Sequence, residues 1–234
     1  MPVKTVNIDG IGEVRLVKSS KSKNIRITID ATGKVRVGLP SWTPYMAAEA
    51  FVTRQRQWIE EKLSDRPDKV IYKTGMHVGK AHTLLFISGA NSVRSSVAGN
   101  HVIIRHPYES DENPAVQTAA AKTIKKALLN ESENLIPQRV IDLATKLGYD
   151  YKNISCKHLK TRWGSCSSKK ELVFNTYLMQ LPWELIDYVI VHELVHTIHM
   201  NHSDKFWVQV AVHCPSYKIL RRRMKDYSPH VIPT

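Results

Sequence analysis

Between residues 3 and 37, apolar and polar positions alternate in short runs, VNIDGIGEVRLV, NIRITID and KVRVGL, separated by Gly or Lys/Ser clusters. A period of two belongs to half-buried strands, and the short breaks predict a small antiparallel meander. The period then changes. Across residues 41–63, Met46, Ala50, Phe51, Arg54, Trp58 and Leu63 recur at helical spacing, and Thr43 before Pro44 has the form of an N-cap followed by proline at the first helical position. Strand-like runs return in VIYKTGMHVGK, HTLLFIS, SVRSSVAG and HVIIRH, punctuated by Gly and Asn.

The polar stretch YESDENP, residues 108–114, marks the expected domain boundary. Beyond it the pattern predicts a long helix over about residues 115–146, rich in Ala, Leu, Lys and Ile, with a kink at Pro137 and Gly148 as its C-cap. Two extended segments around a Gly/Ser/Lys turn in YKNISCKHLKTRWGSCSSKKELVFNTYLM predict a hairpin, and the remainder reads as helical. The expected fold class is therefore α+β. Residues 1–110 form an antiparallel β-rich domain with a helix, and residues 111–234 a mainly helical domain carrying the hairpin. There is no internal repeat or low-complexity tract.

The 234 residues, 42% hydrophobic and 24% charged, suffice for one large or two small cores. A formal charge of +13 with a pI near 9.7 favours acidic partners such as nucleic acid or an anionic surface. The charge is not localised: residues 1–110 hold 17 Lys+Arg against 9 Asp+Glu, and residues 111–234 hold 17 against 12. The one tight run, RRRMK at 221–225, reads as a solvated helical face rather than a phosphate site. Cys156, Cys166 and Cys214 are odd in number and irregularly spaced, which argues against a disulfide framework and for a reducing compartment. With no apolar stretch after the N-terminal charges and no run of about 18 apolar residues, neither a signal peptide nor a membrane span is expected, and the expected location is cytoplasmic.

The chemistry concentrates in PWELIDYVIVHELVHTIHM, residues 182–200, a helix pattern apolar nearly all round. His192 and His196 stand four residues apart, so a helix turns both imidazoles to one side. Glu193 completes HExxH, in which the carboxylate reaches the metal's water rather than the metal. A buried carboxylate beside two histidines costs several kcal/mol without a partner, and a divalent cation supplies one. A catalytic zinc needs a third protein ligand and an open position. Thermolysin-type enzymes take that ligand from a later glutamate, and none follows Glu193 here. The remaining donors are His199, His202, Asp204, His213, Asp226 and His230. On a continuing helix His199 lies about 10 Å along the axis from His192, too far to share an ion. His202 is better placed, because Asn201 tolerates the left-handed conformation that stops a helix and turns the chain back. The resulting HExxHxxxxxH spacing is shared with metzincins, which carry glycine where this chain has His199. His213 is the runner-up.

HELVHTIHMNHSDKFW, together with RWGSCSSKKELVFNTYLMQLPWELIDYVIVHE upstream, resembles the YgjP-like metallopeptidases, relatives of the SprT/Spartan group. The resemblance is strong over residues 162–207 and extends more weakly to SKSKNIRITIDATGKVRVGLPSWTPYMAAEAFVTRQRQWIEEKL. It implies a zincin-type fold, Zn2+ as cofactor, His192, His196 and His202 as its ligands, Glu193 as catalytic base, and protein or peptide as substrate. The RWGSCS segment has two readings: Trp163 and Cys166 as core residues before a tight turn, or a strand beside the site whose free edge pairs with an extended substrate. Arg162, Tyr217 and Tyr227 are candidate oxyanion donors, and Asp204 is either the partner of a ligand histidine or a helix cap. The competing function is a nucleic-acid-associated zinc protein, with structural zinc or with DNA-dependent cleavage of protein–DNA adducts, as the SprT/Spartan relatives and the +13 charge suggest. Hydrolysis of a non-peptide amide uses the same metal chemistry.

Overall fold

The computed structural model describes residues 2–30, 33–64 and 70–229. It divides into two compact units, residues 1–69 and 70–234.

The first unit contains β1 (Val3–Ile8), β2 (Gly12–Ser19), β3 (Arg26–Ile29) and β4 (Val35–Pro40), followed by α1 (Tyr45–Arg54) and α2 (Arg56–Ser64). The sheet order is β1-β2-β4-β3, with β2 and β4 parallel, so the expected antiparallel meander is replaced by a mixed sheet. Burial explains the order. β2 and β4 carry Val14, Leu16, Val35, Val37 and Leu39, all essentially inaccessible, and sit in the middle, while the more exposed β1 and β3 take the edges. The expected single helix breaks at Gln55 into two. Thr43 makes no cap: the helix begins after Pro44 with no side-chain bond. Its buried stripe is Ala48, Val52 and, on α2, Ile59, whereas Met46 and Trp58 point outward.

The second unit begins with β5 (His77–Val78), β6 (His82–Ser88), β7 (Arg94–Ala98) and β8 (His101–His106), in the order β5-β6-β8-β7 with β6 and β8 parallel. Val78, Leu84, Val102 and Ile104 from this sheet form one core with Val116, Ala120 and Ile124 of α3 (Pro114–Leu147). The two compact units divide between Lys69 and Val70 rather than within residues 108–114. The polar stretch is a helix start, not a linker. Asn113 accepts the Ala115 N–H as N-cap, Asp111 pairs with the fully buried His106, and Gln117 donates to the Tyr72 and Asp111 carbonyls. Helix α3 runs on through Pro137, which has no N–H to give to the ladder, and ends at Gly148 with φ 74° as expected.

A three-stranded sheet follows: β9 (Asn153–Lys157), β10 (Gly164–Cys166) and β11 (Glu171–Asn175), ordered β10-β11-β9. The β10–β11 hairpin is present, and β9 pairs parallel to β11. A short 3-10 segment leads to α4 (Trp183–His196), then α5 (Asp204–His213) and α6 (Tyr217–Arg223). Pro182 pre-sets the entry to α4 and Glu184 suits its positive end. Leu185, Ile186, Val189, Ile190, Leu194 and Val195 bury the rest against the unit's core. All three cysteines are free thiols. Among the described residues no helix is long and apolar enough to cross a membrane.

Candidate metal centre

On α4, Glu184 and Asp187 pair with arginines, whereas His192, Glu193 and His196 line a cleft. His192 and His196 stand one turn apart with their Nε2 atoms 3.2 Å from each other. The helix then stops: Thr197 folds its hydroxyl onto the Leu194 carbonyl, and the chain turns through residues 198–203 into α5. That turn returns His202, whose Nε2 lies 3.0 Å from that of His192. All three ligand atoms fall within 4.8 Å of one another. Nitrogens bound at 2.0–2.1 Å to one tetrahedral ion stand ~3.3 Å apart, so the 3.2 and 3.0 Å separations from His192 fit a shared cation.

Protonation supports that fit. The His196 Nδ1–H donates to the His199 carbonyl at 2.9 Å, which leaves Nε2 as a lone pair. Burial, then the charges of His196, His202 and Arg221, push His192 down to about 3, so it remains neutral. Burial also lowers His196, against the hydrogen bond to His199. Beside them Glu193, 5% exposed, is pushed by burial up to about 8, with Arg162 acting in the opposite direction. Its Oε2 and the His192 Nδ1 are buried without a hydrogen-bond partner. The ring nitrogens of His192, the buried His196 and the exposed His202 meet beside a buried carboxylate oxygen that has no partner, an arrangement that a divalent cation would stabilise.

Strand β10 passes directly over Glu193. A Cβ built on Gly164 would stand 2.7 Å from Glu193 Oε1, so glycine is what leaves the carboxylate its room. The cleft has a volume of about 450 Å3 and is lined by Arg162, Trp163 and Cys166 on the strand side and by Tyr188, Met200 and Arg221 on the helical side. Cys166 is pushed up to about 11, by burial first and then by Glu193, and is an inert thiol at neutral pH.

The other expected donors lie elsewhere. His199 contributes its backbone carbonyl rather than its ring. His213 contacts Gln209 and stands edge-on to Tyr149, away from the triad. Asp204 opens α5 and joins no ligand histidine among the described residues, and Asp226 lies in a 3-10 turn after α6. His230 falls outside the described residues. Tyr217 stacks on Trp207, itself stacked on His202, and Tyr227 packs on the core. Three contributors were not expected in these roles: Gly164 lies within the RWGSCS segment, and Arg221 opens the run read as a solvated helical face but lines the cleft. The third is the fully buried Asn175, whose amide donates to the Leu159, Arg162 and Pro229 carbonyls and so fastens the segment carrying Arg162.

Convergent imidazoles beside a buried carboxylate in an open cleft make a centre of the metallohydrolase class. The YgjP-like metallopeptidase domain model matches residues 23–227, and the chain belongs to that family. Membership brings protein or peptide as the substrate class. Solved structures with partial similarity include two metallopeptidase zymogens. Abylysin of Pyrococcus abyssi is 22% identical over 39% of this chain and 94% of its own, with a TM-score of 0.36. Jannalysin of Methanocaldococcus jannaschii is 26% identical over 39% and 97%, with a TM-score of 0.33. No curated protein matches.

Proposed function

We propose that the protein is a zinc-dependent peptidase in which His192, His196 and His202 hold the ion and Glu193 is the general base. The observation that carries this reading is the meeting of three Nε2 atoms within 4.8 Å beside the buried Glu193 carboxylate. A bound zinc in such a site acidifies water and polarises a carbonyl. Among the described residues no fourth side chain joins the three histidines, which supports an open catalytic position over a closed structural one.

Glu193 takes the proton as a water oxygen bonds to the scissile carbonyl carbon, then delivers it to the amine nitrogen as the C–N bond breaks. Gly164 keeps its carboxylate free to move between those positions. Strand β10, with β11 on one side, has its other edge unpaired within the sheet, and an extended peptide lying there would add a strand along the cleft. Arg162, whose charge acts on Glu193, supplies positive potential to the carbonyl oxygen. A reducing, cytoplasmic location belongs to the same proposal and accords with three free thiols.

Metal analysis and hydrolysis of an unstructured protein such as casein test the reading. Zinc is expected at one equivalent, with turnover lost on chelation and in Glu193→Gln while that variant keeps its metal. Undiminished hydrolysis in Glu193→Gln would remove the base, and a chain that takes up no zinc would remove the whole proposal.

A further inference from the structure

Arg221 faces the centre from α6 and has no role in the reaction as drawn. It lines the cleft, and its charge acts on both His192 and Tyr188. Its neighbours show what an arginine on this surface ordinarily does: Arg223 pairs with Glu184, and Arg139 with Asp187. Arg221 forms no ion pair among the described residues. Glu193 is the sole carboxylate among the residues lining the cleft. It stands next to Arg162, so the helical wall presents an uncompensated guanidinium.

That guanidinium is also held in place. Arg221 and Tyr217 are one turn apart on α6, and both lie against the Trp207 ring, the guanidinium carbon 4.7 Å from its centroid and Tyr217 stacked at 5.5 Å. Trp207 in turn stacks on His202 at 5.6 Å. A cation fixed on an indole loses less freedom on meeting a ligand than a solvated lysine or arginine does, and its planar fork suits a carboxylate.

We infer that Arg221 is a specificity-determining residue that binds a carboxylate of the substrate. This rests on the peptidase reading for its setting, although carboxylate binding is measurable without turnover. Two sources supply that group: an Asp or Glu side chain near the scissile bond, or the free C-terminus of a peptide bound close to its end.

Paired peptides separate them. One pair differs by Glu against Gln flanking the cleavage site, with amidated C-termini. The other is neutral throughout and differs by a free against an amidated C-terminus. Zinc-loaded wild-type protein is expected to favour the charged member of at least one pair by about tenfold in kcat/KM, as for a hydrogen bond to a charged group. Arg221→Gln should bring that ratio to near one, Arg221→Lys should retain part of it, and Arg222→Gln, one position along α6, should keep the wild-type ratio. A preference confined to the first pair assigns a side chain, and one confined to the second assigns the C-terminus. The same pairs, fluorescently labelled and bound to zinc-loaded Glu193→Gln with and without Arg221→Gln, give the discrimination by anisotropy. If no peptide is cleaved but this binding preference survives and depends on Arg221, the peptidase reading falls and the carboxylate site stands. No preference in either measurement, or one that Arg221→Gln leaves intact, overturns the inference.

Discussion

Replacing Glu193 by glutamine removes a charge that the metal-free fold disfavours, and the effect on stability has a definite sign and pH window. The carboxyl is pushed by burial from an ordinary 4.5 up to about 8, with Arg162 opposing. An acid whose folded value is raised binds its proton more tightly in the native state. Its stabilising contribution is therefore complete below 4.5 and is lost as pH rises toward 8. At about 1.36 kcal/mol per unit, the 4.5-to-8 interval corresponds to an upper bound on the order of 5 kcal/mol, and relaxation of the site reduces this to ~2–5 kcal/mol. Glutamine has nearly the same shape and does not titrate. His192 has the opposite sign: its depressed value gives stability that is present above 6.5 and lost as pH falls toward 3. It is common to both proteins and cancels in the comparison. Amide hydrogen exchange along α4 in chelator-treated protein reads the local stability. The glutamine variant should equal wild type near pH 4.5 and exceed it progressively up to pH 8. A difference that is independent of pH, or that favours wild type at pH 8, would refute the account of Glu193 as a strained, unpartnered carboxylate.

Removing the third proposed ligand, in His202→Ala, should weaken zinc binding by more than the ~10–100-fold typical of an outer partner, as measured by competition with a chromogenic chelator. Wild-type retention would take His202 out of the ligand set. Gly164→Ala drives a methyl to within 2.7 Å of Glu193 Oε1; kcat should fall about 100-fold with metal content unchanged, as expected for a misplaced base. Equal turnover would mean that the carboxylate is not confined by β10. Asn175→Ala leaves the Leu159, Arg162 and Pro229 carbonyls without their amide partner. It should lower stability by ~1–3 kcal/mol in denaturant titration and loosen the Arg162 segment, visible as faster proteolysis around residues 159–163.

The sequence alone determined what local periodicity can carry. An i, i+4 relation places His192 and His196 together on any helix, the apolar surroundings of 185–195 bury that helix, and the inventory of donors after Glu193, with Asn201 as a stop, points to His202. The β10–β11 hairpin and the Gly148 cap were legible for the same reason, since each is written in consecutive residues. Tertiary structure decided what depends on distant partners. No pattern within β2, β6 or β9 distinguishes a parallel from an antiparallel neighbour, because which strands become neighbours depends on residues distant in the chain. The polar stretch at 108–114 resembles a linker until His106 and Gln117 fold onto it. Gly164 acquires meaning when Glu193 lies beneath it, as Arg221 does once Trp207 holds it over the cleft. Those contacts join residues far apart in the chain, and their energy comes from burial and charge in three dimensions, which spacing along one dimension does not encode.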